Sequence, residues 1–321
     1  MTTARPLARH MPKAAYLYLV LVLPLLLGFA LGQPGLADQA SAEETVPASM
    51  PKPALWRLSD EDSEIWLFGT VHILNPALKW RTAKVDAAFK DAGIYYSEAP
   101  VVQADTKMMQ PLIMKHGINR SNVPFTNKLS KQGKADFKAT LKALGMPEDT
   151  MKQFEAYRPW LAGVSIGALQ VQARGGDPEA GVDKILWREA VADGKMLGYF
   201  ETMEQQVSLF GAMTPEEELK FFEDGLRQMI EEPDLLDEIT LDWQAGRIDA
   251  LSHKLNGAME GQESLRDRLL VDRNRAWAMK IKELMDGEGT IFVAVGAGHL
   301  AGDGSVQDHL EQLGYTVTRA Q

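Results

Sequence analysis

Apolar positions along this chain alternate between two spacings, and the switches mark its elements. Ala54–Leu58, a polar stretch Ser59-Asp-Glu-Asp-Ser63 and Glu64–Phe68 read as a hairpin. Thr82–Asp91 has helical spacing, and Ile94-Tyr-Tyr-Ser-Glu98 reads as a third strand. From Val101 to about Ala192 the spacing is mostly helical, punctuated by Gly145-Met-Pro147, Arg158-Pro159 and Gly175-Gly-Asp-Pro178. Lys195–Phe200 is short and apolar and predicts a fourth core strand. A second helical block follows from Glu204 to about Gly287, in which Thr214-Pro215-Glu216-Glu217-Glu218 carries the proline and acids of a helix start. Ile291–Val295 predicts another buried strand, Ser305–Leu313 a helix and Tyr315–Thr318 a last strand. The pattern describes a mixed α/β fold bordering on α+β: a central mixed sheet flanked by helices, with a large helical insertion.

The first residues lie outside that pattern. Arg5, Arg9 and Lys13 precede the apolar run Ala14–Leu31, and Gly35-Leu-Ala37 supplies small residues at a cleavage point. Residues 1–37 therefore read as a signal peptide, 38–53 as a polar, proline-bearing flexible linker, and 54–321 as the folded domain. This predicts a periplasmic or secreted protein, with an uncleaved membrane anchor as the alternative. Residues 1–37 hold three cations and no acid, so cleavage takes the net charge from −10 to −13. Such acidity argues against nucleic acid or anionic lipid as a partner, because both require a basic surface. The chain has no cysteine, which excludes disulfides, thiolate metal sites and a cysteine nucleophile.

Candidate chemistry gathers where apolar runs stop. Phe68-Gly-Thr-Val-His72 and Val295-Gly-Ala-Gly-His299 both end a strand pattern in Gly-x-x-His, where glycine allows a sharp turn or a close approach. Glu98 and Glu201 close the runs at Ile94 and Lys195. Ligands of open α/β sheets bind beyond the carboxyl ends of the strands, so His72, Glu98, Glu201 and His299 are expected to face one pocket. Imidazoles and carboxylates are the donors left without cysteine, suiting Mn, Co, Fe or Zn, and an ion with an open position activates water for hydrolysis. A turn histidine or a helix-capping carboxylate explains each residue singly. Asp183 is a candidate for orienting an imidazole and Arg273, beside Asn274, for steadying an oxyanion; a helix-borne arginine otherwise pairs with a surface carboxylate. No H-E-x-x-H occurs. Gly163-Val-Ser-Ile-Gly167 matches a nucleophile elbow in letters only, since its surroundings have helical spacing and no preceding strand.

Taken in order, Leu67-Phe-Gly-Thr-Val-His72, Tyr96-Ser-Glu98, Gly181-Val-Asp183, Leu197-Gly-Tyr-Phe-Glu-Thr202 with Gln205 and Gln206, Arg273-Asn274 and Val295-Gly-Ala-Gly-His-Leu300 resemble the TraB/GumN family and its Tiki-like metalloprotease relatives. The resemblance covers about residues 54–320. It departs from the usual pattern at Phe200, where the family more often has leucine. It implies a fold related to the erythromycin-esterase and ChaN-like proteins. It further implies peptide-bond cleavage dependent on a divalent ion, Mn or Co ahead of Zn, with His72, Glu98 and His299 as metal ligands and Asp183, Glu201, Arg273 and Asn274 as auxiliary residues. The expected function is an exported metal-dependent peptidase acting on a peptide or protein substrate. The competing expectation is a non-catalytic envelope protein of the same fold that binds haem or another ligand.

Overall fold

A computed structural model describes residues 50–100 and 106–321. The expected signal peptide, most of the expected linker and the start of the helical run at Val101 lie outside the described residues. Within the linker's last residues, the Lys52 N–H donates to the Gln244 carbonyl at 2.8 Å and the Pro53 carbonyl accepts from Gln321, so residues 52 and 53 are fastened to the body.

Six strands form one mixed sheet: β1 Leu55–Ser59, β2 Ser63–Thr70, β3 Ile94–Ser97, β4 Met196–Tyr199, β5 Gly289–Gly296 and β6 Thr318–Arg319, in the order β4-β3-β5-β2-β1-β6. The hairpin β1–β2 closes through the Asp60 carboxylate, which accepts the Ser63 N–H at 2.8 Å. Strands β2, β5, β3 and β4 run parallel, so their carboxyl ends share one edge of the sheet. Side chains of β2 and β5 alternate between two cores. Ile65, Leu67, Ile291, Val293 and Val295 face one core, while Phe68, Phe292 and Ala294 face the other. Burial on both faces is why these strands read as continuous apolar runs.

The α-helices of seven residues or more are α1 Ala83–Asp91, α2 Thr106–His116, α3 Lys131–Ala143, α4 Pro159–Ala173, α5 Val182–Ala192, α6 Met203–Gly211, α7 Pro215–Glu231, α8 Leu235–Gln244, α9 Ile248–Ala258, α10 Asp272–Met285 and α11 Val306–Gln312. Thr214 and Glu217 form the capping box that starts α7. Helix α4 buries every residue from Pro159 to Ala168, and the Ser165 hydroxyl donates to the Leu161 carbonyl at 2.8 Å inside that helix. The G-x-S-x-G letters are therefore core packing.

Two expectations need correction. The fourth strand is an edge strand rather than a core strand: β4 has β3 as its single neighbour and leaves Met196 64% exposed. The last strand is not Tyr315–Thr318. The Tyr315 N–H instead closes the end of α11 on the Leu310 carbonyl, Tyr315 and Val317 pack on the second core, and the pairing with β1 is made by Thr318 and Arg319, continued by the Ala320 and Gln321 N–H groups on the Leu55 carbonyl.

Candidate active site

Register brings the two Gly-x-x-His segments together, because β2 pairs with β5 at Gly69 opposite Val295 and Thr70 opposite Gly296. None of Gly69, Gly296 and Gly298 has a positive φ. No left-handed backbone calls for glycine at these positions, and close approach is the reason for glycine at 69. A Cβ on Gly69 would stand 3.0 Å from Ala297 Cα.

His72 follows β2 in a segment zipped to the start of α5. The Val182 N–H donates to the Val71 carbonyl at 2.9 Å, and Leu74 and Asp177 exchange backbone hydrogen bonds. Gly181 makes the fit possible, since a side chain there would strike the His72 carbonyl. Asp183, in the first turn of α5, consequently sets its carboxylate 3.2 Å from His72 Nδ1. Burial pulls the His72 imidazole down, but Asp183 and then Glu98 outweigh it and raise its proton affinity.

Glu98, just past β3, is buried with both oxygens engaged. Oε1 accepts the Gly296 N–H at 2.7 Å, and Oε2 accepts from Gln206 Nε2 at 3.0 Å and from Arg273 Nη2 at 2.8 Å. Burial nevertheless lifts the Glu98 carboxyl above its ordinary range, against the pull of Arg273, His72 and the Gly296 N–H. Glu201 caps nothing; Thr202 and Gln205 form the capping box of α6. Its carboxylate grips Arg273 twice, at 2.8 Å to Nε and 3.0 Å to Nη2, and accepts from Trp277 Nε1 at 3.0 Å.

Arg273 is the hub of the cluster. A π-helical turn over Asp267–Val271 leads into α10, and the Arg273 side chain folds back to donate to the Leu269 carbonyl at 3.0 Å. Its remaining N–H groups go to Glu98, Glu201 and His299 Nε2, the last at 3.0 Å. All five guanidinium donors are thereby used, so Arg273 can offer a reacting group its charge but no further hydrogen bond. It is fully buried, lies over the Trp277 ring at 4.7 Å and stays charged because the two carboxylates overcome the burial.

His299 sits in the short turn Ala297–Leu300 after β5 and is clamped at both nitrogens by consecutive residues of α10. Asn274 Nδ2 donates to the Gly304 carbonyl at 2.7 Å, which turns Asn274 Oδ1 toward His299 Nδ1 at 2.5 Å. The imidazole therefore carries its proton on Nδ1 and accepts from Arg273 on Nε2. Burial, the Arg273 charge and His72 hold it well below an ordinary imidazole.

All seven residues read from the sequence thus fall in one neighbourhood, linked through Arg273, Glu98 and the His72–Asp183 pair. Sequence reasoning passed over Trp277, whose ring lies 4.3 Å from that of His299, and assigned no role to Gln206, fully buried against Glu98. Their spacing was the available signal: Trp277 is one helical turn after Arg273, and Gln206 one turn after Thr202.

The donor set has the right chemistry for a divalent ion but does not fit one in this arrangement. Gln206, Arg273 and Gly296 already place three hydrogen bonds on the Glu98 carboxylate, and the Arg273 guanidinium donates to the His299 Nε2 lone pair, putting a fixed positive charge where a cation would sit. Among the described residues no group of three or more His, Asp or Glu is placed to hold a metal ion. Several of the molecule's unpartnered buried atoms lie beside the cluster: His72 Nε2, Asp183 Oδ1, Gln206 Oε1 and Thr70 Oγ1 form no hydrogen bond. No helix among the described residues is long and apolar enough to cross a membrane. No curated protein matches the chain. A family model does, over residues 54–319, which include every residue of the cluster, and the chain belongs to the TraB/PrgY/gumN family.

Proposed function

We propose that this cluster is the active centre of an exported hydrolase that cleaves a peptide bond, with His72 as the base. The observation that carries the reading is a buried imidazole whose Nδ1 lies 3.2 Å from the Asp183 carboxylate, which raises its proton affinity, and whose Nε2 makes no hydrogen bond within the protein. An unpaired buried polar atom costs about 1–3 kcal/mol, and a native one calls for an explanation, here a reacting group to be received. His72 takes a proton from water as the water adds to the carbonyl and gives it to the leaving amine as the C–N bond breaks, while Asp183 holds the ring in orientation and balances the imidazolium between the two steps. The Arg273 charge, fixed by Glu98 and Glu201, favours the negative charge developing on the carbonyl oxygen. Glu98, Glu201, Asn274 and His299 act through Arg273: they position it and hold it charged.

One observation favours the metal-dependent form of the reading. His72 and Asp183 keep donor atoms free, and a movement of Arg273 away from Glu98 and His299 would release theirs to Mn or Co, or to Zn. The test is a survey of quenched fluorescent peptides and simple esters with and without chelator. Peptide cleavage by the wild type, reduced at least 100-fold in a folded His72→Ala variant, supports the proposal. Absence of any hydrolysis, together with a Soret band on adding haem that the same variant loses, overturns it in favour of the ligand-binding alternative.

A further inference from the structure

A second site lies away from this cluster, in a cavity of about 400 Å³ between the end of α2, the start of α4 and the start of α7. Four cations border it: Lys115, Arg120, Lys128 and Arg158. Two are neutralised. Arg158 pairs with the nearly buried Glu218 while donating to the carbonyls of His116, Gly211 and Met213, and Lys115 pairs outward with Glu204. The other two are not. Arg120 makes a single hydrogen bond, to the Met114 carbonyl at 3.1 Å, and Lys128 makes no salt bridge among the described residues, although its charge acts on Glu218, the acid that Arg158 already pairs. In a chain of net charge −10, two unneutralised cations on one concavity run against the trend of the surface.

The frame that presents them is fixed. The Asn119 N–H donates to the Ala156 carbonyl at 2.9 Å, Ile118 bridges to Tyr157, and the Asn119 and Ser121 side chains tie the loop to Val123 and Glu155. The remaining wall combines the apolar Ile118, Val123, Phe125 and Leu219 with the polar Asn119 and Ser121 and with Glu218, whose carboxylate Arg158 holds. Small-molecule sites combine this kind of concave apolar wall with a few fixed polar groups. A guanidinium fork and an ammonium suit an oxyanion.

We infer that this cavity binds a small amphiphilic anion, a phosphate or carboxylate head held by Arg120 and Lys128 with an apolar body on Ile118, Val123 and Leu219. The site is independent of the hydrolase reading. Calorimetric titration of the purified chain with octyl phosphate, below its micelle concentration, tests it beside octyl glucoside and inorganic phosphate. The expected result is saturable binding of octyl phosphate that weakens with salt and exceeds that of either comparison compound at least tenfold. The Arg120→Gln/Lys128→Gln variant, altered at two exposed side chains, should lose at least tenfold in affinity with an unchanged thermal unfolding midpoint. Binding of octyl glucoside as tight as octyl phosphate, an unaltered affinity in the double variant, or no binding by the wild type overturns the inference.

Discussion

Replacing Arg273 by methionine is the sharpest test of how the cluster is held. The side chain makes five hydrogen bonds, three of them to Glu98 and Glu201, and no solvent replaces them because Arg273 and Glu98 are 5% and 4% exposed. Methionine keeps most of the volume and strands the two carboxylates beside each other without a counter-charge. Breaking a buried pair from one side costs about 3–5 kcal/mol. At roughly 2 °C per kcal/mol for a domain of this size, the midpoint should fall by about 6–10 °C at pH 7. Denaturant unfolding in the presence of chelator measures the same loss at constant temperature. The cause is checked by adding Glu98→Gln to Arg273→Met, which should recover more than about 1 kcal/mol by removing one stranded charge. A loss below about 1 kcal/mol for Arg273→Met, or no recovery in the double variant, would refute the claim that this guanidinium is the counter-ion of the site.

Three further outcomes follow from the same geometry. His299 is held below its unfolded value near 6.5, so the folded state binds fewer protons there; the stability this adds is present above about pH 6.5 and is lost as pH falls toward the depressed value, at up to about 1.4 kcal/mol per unit. His299→Gln should flatten that acid-side slope in chelator-treated protein, and parallel slopes would sink the assignment. Ser165→Ala should leave hydrolysis within twofold and cost less than about 1.5 kcal/mol, since its hydroxyl only bonds the preceding turn. Gly181→Val should impair turnover far more than its distance from the sheet suggests, because the added side chain pushes on the His72 carbonyl; unchanged kinetics would contradict that account.

What the sequence disclosed was set by the range of each interaction. Strands β2, β3 and β5 were readable because burial on both faces forces unbroken β-branched and aromatic runs, and a polar residue after such a run locates the strand's end. His72, Glu98 and His299 were found this way, whereas Glu201 was found after the short apolar run of the edge strand β4. The sheet order was not legible, because β3 lies beside β5 through pairing of residues nearly 200 apart in the chain. The burial of Arg273 was hidden for the same reason. On α10 it stands among charged neighbours and reads as a surface residue, while its carboxylate partners lie 175 and 72 residues away. With that burial went its role, since an arginine with every donor engaged works through charge and cannot also bond an oxyanion. The meaning of Gly69 was likewise visible only in three dimensions, where Ala297 presses against it.

The most direct measurement is kcat/KM for peptide hydrolysis by chelator-treated wild type beside His72→Ala and Asp183→Asn. The account predicts that wild-type turnover survives the chelator, that His72→Ala loses it by about 10²–10⁴-fold, and that Asp183→Asn falls between them. Turnover that vanishes with chelator and returns with Mn or Co, or that persists in His72→Ala, would contradict a free His72 base as the reacting group.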